Sequence, residues 1–225
     1  MPSPEYICHR VQSVQEELAH APQRVTLVAV TKTHPASVVK TVYDAGIFDV
    51  GENKVQEALE KQTQLESSCP NLRWHLIGPL QTNKVNKTVG KFELIHSVDR
   101  LEVAQKLNDA NAAAGLVQRV LLQVNISGEA SKGGFSNESL NARFAQLVAL
   151  PAIRIEGLMT MAPFDADEAT LQVVFMGLVD FRDYLVSTHG HPLPQLSMGM
   201  SDDYATAIAC GSTMVRLGRT LFGER

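Results

Sequence analysis

The sequence VTLVAVTK, at residues Val25–Lys32, decides the fold that we predict for this chain. It is apolar and rich in β-branched residues, which is typical of a buried strand. Pro35 follows closely and suits the first turn of a helix. At the tip of a central strand Lys32 would lie beside a pocket wall. Partial desolvation there would lower the pKa of its amine and make it a competent Schiff-base nucleophile. The alternative, from this stretch alone, is a lysine that ends a strand and reaches water.

Similar runs recur along the chain and alternate with helical patterns. We predict eight strands, at Val25–Lys32, Phe48–Asn53, Arg73–Gly78, Leu94–Val98, Arg119–Asn125, Arg154–Met161, Gln195–Ser201 and Thr213–Gly218. A short N-terminal helix, Glu5–His20, comes first, and the helical patterns between strands are Ala36–Ala45, Lys54–Glu66, Thr82–Val89, Leu101–Ala114, Asn137–Ala149, Asp167–Ser187 and Asp202–Ala209. This alternation predicts an α/β fold, a single (β/α)8 TIM barrel spanning residues 1–225. A doubly wound open sheet is the weaker alternative, because no glycine-rich fingerprint follows the first strand.

Composition argues against nucleic-acid and membrane partners. The 225 residues are 44% hydrophobic with a formal net charge of −4, and the sequence shows no basic stripe. Its apolar runs are too short to cross a bilayer, and the N-terminus lacks the order of a signal peptide. Three widely spaced cysteines, Cys8, Cys69 and Cys210, indicate free thiols and a cytoplasmic protein.

Small and polar residues gather where the predicted strands end, which is where barrel enzymes carry their sites. The seventh strand ends in Gly199-Met200-Ser201, and the eighth in Gly218-Arg219-Thr220. Loops at these two positions often bind phosphate, because glycine permits close approach and N–H groups and hydroxyls donate to its oxygens. Ser201 can equally be an ordinary helix N-cap, and Gly218 a close contact between strand and helix.

Charged residues near these loops have separate interpretations. Arg216 lies inside the eighth strand, and we favour a side chain that points inward, to where a ring nitrogen or a second anion could lie. Asp202 and Asp203 are interpreted as charges at a helix N-terminus rather than as an acid–base pair.

Three other candidates are weaker. The loop Gly128–Gly134 does not meet the Walker order, and we interpret it as a mobile surface loop. The pair His189 and His191 indicates a solvated turn rather than a metal site, and no metal is predicted. His75 alternates with apolar neighbours, and an isolated histidine of that kind is more often a satisfied core residue than a base.

A lysine on the first strand, phosphate loops after the seventh and eighth strands and an inward arginine on the eighth resemble the pyridoxal-phosphate-binding barrel of alanine racemases. The chain resembles more closely the pyridoxal phosphate homeostasis proteins of the YggS type. The motifs that carry this resemblance are Ala29–Thr33, Gly51–Glu57, Trp74–Lys84, Gly157–Met161, Leu196–Asp203, Gly211–Gly218 and Phe222-Gly223. They cover nearly the whole chain in characteristic order and spacing.

The resemblance implies a barrel of the alanine racemase N-terminal-domain type that binds pyridoxal 5′-phosphate. It implies that Lys32 holds the cofactor as a Schiff base, that Asn53 lies near the ring, and that Arg216 lies near the ring nitrogen. It assigns the phosphate to Ser201 and to the backbone of Gly218 and Arg219. The last cofactor-binding candidate is His75. Arg219 stands where a small residue is commoner in the family, so its side chain either adds charge near the phosphate or points to solvent.

The resemblance also implies a function without an established reaction. Family members are thought to carry or buffer the cofactor and so to affect amino-acid and keto-acid balance. We therefore expect a monomeric, non-enzymatic protein that takes part in cofactor homeostasis, with apo forms of pyridoxal-phosphate-dependent enzymes as acceptors. The alternative is an amino-acid racemase of low activity, which needs a second acid–base group opposite Lys32. Alanine racemases take that group from another domain, and we expect none here because the sequence stops at Arg225.

Overall fold

Eight parallel strands close into a barrel in the computed structural model, which describes residues 2–129 and 132–224. The strands are β1 Thr26–Val30, β2 Asp49–Glu52, β3 Arg73–Leu76, β4 Leu94–Val98, β5 Gln118–Gln123, β6 Ile153–Met159, β7 Gln195–Ser197 and β8 Met214–Leu217. Each pairs with the next along the chain, and β8 pairs with β1, which places Val28 opposite Arg216. The predicted (β/α)8 barrel is confirmed.

Helices surround the barrel and connect its strands. They are α1 Pro4–Ala19, α2 Ala36–Asp44, α3 Val55–Leu65, α4 Leu101–Ala113, α5 Asn137–Val148, α6 Glu168–His189, α7 Tyr204–Ala209 and α8 Arg219–Phe222. Local sequence sets their ends: the Asp167 side chain accepts the Thr170 N–H at the start of α6, and Gly190 ends that helix at φ 68°. None of the described helices combines the length and apolar character that crossing a membrane requires.

The predicted helix Thr82–Val89 is wrong in type. The chain forms a 3-10 helix there, at Thr82–Lys87, in which Val85 is the only buried residue. One buried apolar side chain gives an α-helix too little to pack against the barrel, and short connectors commonly take the tighter 3-10 form.

Two apolar regions make up the core. The larger one lies between the sheet and the helices and includes fully buried residues such as Val39, Leu107 and Phe175. The smaller one is formed by Leu94, Leu121, Met159 and Met214. These four come from β4, β5, β6 and β8, so they meet inside the barrel. Because this inner cluster is small, polar side chains share the barrel interior with it.

Residues 130 and 131 belong to the loop that we interpreted as a mobile surface loop, and they lie outside the described residues, as does Arg225. The described flanks of the loop are held by Asn125, whose side-chain amide donates to the carbonyl oxygens of Glu129 (2.9 Å) and Lys132 (3.1 Å).

Candidate functional site

Lys32 lies two residues beyond β1, at the carboxyl end of the barrel, and is half-buried. The chain turns directly after it, because Thr33 adopts φ 64°. A β-branched residue rarely takes this left-handed conformation, and such strain persists only where surrounding contacts hold it.

A buried charged cluster supplies those contacts. We call Lys61, Glu52 and Glu57 the Lys61 cluster. The Lys61 ammonium donates to Glu52 Oε1 (2.6 Å), to Glu57 Oε1 (2.8 Å) and to the Thr31 carbonyl oxygen (2.8 Å), so all three of its donors are used. Burial raises the pKa of Glu52, against the opposing effect of its hydrogen bonds from Lys61 and Thr31. Glu52 Oε2 has no hydrogen-bond partner among the described residues.

The Lys61 cluster fixes the backbone on both sides of Lys32. On one side Thr31 is held twice, since its hydroxyl donates to Glu52 Oε1 at 2.6 Å and its carbonyl oxygen accepts from Lys61. On the other side the Thr33 N–H donates to Glu57 Oε1 at 2.5 Å. Our sequence analysis missed this cluster. The available signal was the spacing of four between Glu57 and Lys61, which usually indicates an exposed pair.

The predicted phosphate loops do meet in space. The Ser201 hydroxyl oxygen accepts from the Gly218 N–H (3.4 Å) and from the Thr220 N–H (3.1 Å). A side chain at Gly218 would make only ordinary contacts with Val30, at 3.6 Å, and its φ of −118° suits any residue. The protein's own packing therefore does not require this glycine, which overturns the close-contact alternative. Thr220 is a further member of the site, and our candidate residues did not include it.

Gly199 sets the position of Ser201. Its φ is 96°, and a Cβ added there would lie 2.7 Å from the Cβ of Ala207 on α7. Glycine is thus required on both conformational and steric grounds. This close approach turns the chain so that Ser201 faces the end of β8.

The two adjacent aspartates have different partners. Asp203 is buried, and its Oδ1 accepts the Met200 N–H at 2.5 Å, while burial raises the pKa of its carboxyl group. Asp202 is exposed and pairs with the Arg219 guanidinium. They do not act as a pair, and Arg219 is directed to this surface carboxylate.

Arg216 points into the barrel. Its guanidinium donates to Ser197 Oγ (2.7 Å) on β7 and to the Thr160 carbonyl oxygen (3.0 Å) at the end of β6, and the residue is 5% exposed. Burial lowers the pKa of Arg216 to about 10, although the nearby charge of Asp203 opposes this shift. At neutral pH the group is therefore a buried cation.

Asn53 lies in the loop after β2, whereas His75 is buried inside the barrel. Asn53 follows β2 and is half-buried, and a Cβ on Gly78 would lie 2.3 Å from its carbonyl oxygen, so the loops after β2 and β3 touch. His75 is 2% exposed, and its two ring nitrogens lie 2.9 Å from Asp49 Oδ1 and from His96 Nε2. Our interpretation of His75 as a satisfied core histidine holds, and direct cofactor binding by its ring does not suit these contacts.

Four of the predicted site residues thus occupy one end of three neighbouring strands. Lys32 follows β1, Ser201 follows β7, and Arg216 and Gly218 belong to the end of β8. A cavity of about 600 Å³ lies next to the turn after β1, between Thr33, His34 and Phe222 and the N-terminal residues Ser3 and Tyr6, so it neighbours these four residues but is not lined by them. A lysine amine, a serine hydroxyl beside a glycine and a buried cation are groups that suit a ligand with an aldehyde, a phosphate and a ring nitrogen.

Comparisons with known proteins point to the same ligand. Residues 4–225 match the family model described as alanine racemase, N-terminal domain. The chain is 42% identical to the pyridoxal phosphate homeostasis protein of Pseudomonas aeruginosa, over 97% of this chain and 93% of that protein. Its identity to the protein of that name from Aquifex aeolicus is 39%, over 97% and 95%. The solved structure of PipY from Synechococcus elongatus PCC7942 with PLP bound superposes with a TM-score of 0.90 at 38% identity, covering 96% of this chain and 100% of that one.

Proposed function

Since the chain belongs to the alanine racemase N-terminal domain family, and within it to the pyridoxal phosphate homeostasis proteins, we propose that it binds pyridoxal 5′-phosphate and acts as its carrier. The observation that carries the proposal is the convergence of Lys32, Arg216 and the contact between Ser201 and Gly218 at one end of β1, β7 and β8. The relative that is solved with PLP bound supports the same ligand.

The residues present fit this cofactor. A Cβ on Gly218 would come no closer than 3.6 Å to the residues around it, so there is space at this glycine, and the Ser201 hydroxyl lies at its N–H. That space suits a phosphate group, because backbone donors and a hydroxyl bind its oxygens. Arg216 is a buried, fixed cation that can donate to a ring nitrogen, and Lys32 supplies an amine at the tip of β1.

When bound, pyridoxal 5′-phosphate supplies an aldehyde that condenses reversibly with amines. Lys32 would provide the amine for its covalent attachment, and the Lys61 cluster holds the backbone on either side of that residue. The Ser201 hydroxyl and the backbone of Gly218 and Arg219 would bind the phosphate. Asn53 would lie against the ring.

We propose a carrier rather than an enzyme. Arg216 remains a cation at neutral pH, so it would keep a neighbouring ring nitrogen unprotonated and weaken the cofactor as an electron sink. A racemase would need a second acid–base group, and His75, the histidine at the end of β3, is buried and hydrogen-bonded at both ring nitrogens. We further propose that the carrier is cytoplasmic, which its free cysteines support, and that it delivers the cofactor to apo-enzymes.

A transfer assay tests the carrier function. The protein loaded with pyridoxal 5′-phosphate is mixed with the apo form of a cofactor-dependent aminotransferase, and the gain of aminotransferase activity is timed. We expect activation faster than the release of cofactor from the carrier into buffer. Equal rates would contradict delivery. In a parallel incubation with L-alanine in deuterated water, rapid formation of the D-enantiomer that depends on Lys32 would indicate a racemase instead.

The phosphate assignment predicts the effects of two substitutions. Ser201→Ala should weaken cofactor binding by about 1.5–3 kcal/mol, the cost of losing one hydrogen bond to a charged group. Gly218→Val should weaken it further, because the added side chain takes the place of the phosphate. Gly218→Val should nevertheless fold, since its Cβ meets only ordinary contacts. Equilibrium titration with pyridoxal 5′-phosphate measures both effects.

Ser136→Ala is the matched control for these titrations. Ser136 caps α5 by accepting the Ser139 N–H at 3.1 Å, so its loss removes a serine hydrogen bond away from the site. The control should lose stability by about 1 kcal/mol and keep its affinity. Parent-like affinity in both Ser201→Ala and Gly218→Val would place the phosphate elsewhere.

A further inference from the structure

A line of hydrogen bonds runs through the inside of the barrel to the Arg216 guanidinium. Arg216 donates to Ser197 Oγ at 2.7 Å, and Ser197 Oγ lies 2.8 Å from His96 Nδ1. His96 Nε2 lies 2.9 Å from His75 Nδ1, and His75 Nε2 lies 2.9 Å from Asp49 Oδ1. We call Asp49, His75, His96 and Ser197 the interior chain. Its members come from β2, β3, β4 and β7, so they can meet only inside the barrel.

The interior chain is buried along its whole length and ends at the surface through Arg73. His96 and Ser197 are fully buried, and His75 and Asp49 are 2% and 8% exposed. The Arg73 side chain is half-exposed and donates to both carboxylate oxygens of Asp49, at 2.7 and 2.5 Å. Burial disfavours the charged form of Asp49, but the hydrogen bonds from Arg73 and His75 outweigh it and hold its pKa at about 2.

The contacts define where each proton lies. Asp49 is ionised and only accepts, so His75 carries its proton on Nε2. Burial lowers the pKa of His96 well below its ordinary value, so that ring is neutral, with one donor and one acceptor. If His75 is neutral, its Nδ1 accepts from His96 Nε2–H, and His96 Nδ1 then accepts the Ser197 hydroxyl proton. Ser197 is left with lone pairs for Arg216, and every donor has an acceptor.

The opposite proton order leaves a donor unused. A cationic His75 would donate from Nδ1 to His96, and His96 would in turn donate to Ser197 Oγ. That oxygen would then accept from both His96 and Arg216, while its own proton would have no acceptor among the described contacts. Buried donors without partners are costly, so the first order is the stable one. All these hydrogen bonds are therefore donated in one direction, from Arg216 towards Asp49.

We propose that His75, His96 and Ser197 are positioning residues for the cofactor, which act by presenting an oriented acceptor to Arg216. Ser197 takes one guanidinium N–H, and the Thr160 carbonyl oxygen takes another. These two bonds fix the plane of the guanidinium, and its remaining donors would then be available to the ring nitrogen. The inference rests on the proposed binding of pyridoxal 5′-phosphate, and it gives a function to two buried histidines that the site itself does not use.

A ligand that lacks the ring nitrogen tests the proposal. Parent protein, Ser197→Ala, His96→Leu and His96→Asn are titrated with pyridoxal 5′-phosphate and with its analogue in which carbon replaces the pyridine nitrogen. Ser197→Ala should weaken binding of the natural cofactor about tenfold, the loss of a charge-assisted hydrogen bond. It should weaken binding of the analogue by less than about twofold, the scatter expected of independent sites.

The His96 variants separate positioning from mere packing. His96→Asn keeps an acceptor for the Ser197 hydroxyl close to the place of Nδ1, so it should bind the cofactor almost as the parent does. His96→Leu removes that acceptor and should lose affinity for the cofactor but not for the analogue. His191→Asn is the histidine control, because the His191 Nε2–H donates to the Ile155 carbonyl oxygen at 2.9 Å, away from Arg216. Circular dichroism and thermal unfolding without ligand confirm that each variant folds.

Each outcome is decisive. Positioning through Arg216 is supported if Ser197→Ala and His96→Leu lose affinity for the natural cofactor but not for the analogue, and if His96→Asn keeps its affinity for both. The proposal is overturned if the variants bind both ligands equally more weakly, or if they bind both as the parent does. If Ser197→Ala fails to fold, the contrast between the two His96 variants decides alone. A parent protein that binds neither ligand would instead contradict the proposed function, and so the two failures are distinguishable.

Discussion

Replacing Lys32 with alanine should abolish covalent retention of pyridoxal 5′-phosphate and leave the barrel folded. Lys32 is half-buried at the tip of β1, where a side chain adds little to the core, while its backbone is held by neighbours that the substitution does not change. Borohydride reduction followed by peptide mapping should place the pyridoxyl label on Lys32 in the parent protein. The variant should lose both this label and the visible absorption that accompanies it.

Lys54→Ala is the control for the labelling experiment. Lys54 is exposed and directly follows Asn53, so it tests whether any amine near the site reacts. It should leave labelling of Lys32 unchanged. A label that moves to Lys54 or Lys84, or that persists in Lys32→Ala, would contradict the assignment of the nucleophile.

Sequence patterns predicted the order of strands and helices well but placed several strand ends too far along the chain. Val25–Lys32 was predicted as one strand, whereas β1 ends at Val30, and the seventh strand ends at Ser197 rather than Ser201. The physical reason is the same in both places. Side chains at the tips are polar or small and take part in the site, and the backbone turns there, at Thr33 and at Gly199. Local strand propensity contains no information about those turns.

The interior chain could not be predicted from the sequence. Its contacts join strands far apart in the chain, and His96 and Ser197 are 101 positions apart. His75, taken alone, looked like an ordinary buried residue, and His96 was not considered, because their pairing is specified only by closure of the barrel. A weak signal was present, since His75 and His96 each directly follow an apolar residue within a short strand. The sequence pattern does not show how far apart two such strands lie across the barrel interior.

The Lys61 cluster was missed for a different reason. Glu57 and Lys61 are spaced as a helix surface pair, and such pairs normally lie in water. Here α3 packs over β1 and β2, so the Lys61 side chain is 6% exposed and the Glu52 side chain 0%. An exposed pair of this kind contributes little to the free energy of unfolding. In a buried pair, the loss of one partner leaves the other charge uncompensated, which is costly. Only the packed structure reveals that change.

Lys61→Met should therefore destabilise the protein strongly. Methionine fills a similar volume but removes the cation, and it leaves Glu52 as a buried carboxylate beside Glu57. Removing one partner of a buried ion pair typically costs about 3–5 kcal/mol. Denaturant unfolding monitored by circular dichroism measures the loss. The double variant Lys61→Met with Glu52→Gln should recover most of it, because the fully buried charge is then removed and the remaining carboxylate, Glu57, is partly exposed.

The loss in Lys61→Met should also depend on pH in a defined direction. Burial already raises the pKa of Glu52, and removal of Lys61 takes away the hydrogen bond and charge that oppose this shift. A carboxyl group whose pKa is higher in the folded than in the unfolded state favours folding when protonated. The variant should thus be least destabilised below the ordinary carboxyl pKa, and should lose stability as pH rises through the raised value. The double variant should lack this dependence.

Lys40→Met provides the matched control and connects stability to function. Lys40 pairs with Asp44 on α2 with the same spacing, but both side chains are about half-exposed, so its loss should cost less than about 1 kcal/mol. Lys61→Met should also bind pyridoxal 5′-phosphate more weakly. The Thr31 carbonyl oxygen loses its partner, and Glu52 and Glu57, which hold Thr31 and Thr33, lose the cation that fixes them. Lys40→Met should bind the cofactor normally. If the two variants were equally stable and equally competent in binding, the Lys61 cluster would be a passive ion pair. A selective loss in Lys61→Met would make it the support that holds the nucleophile in place.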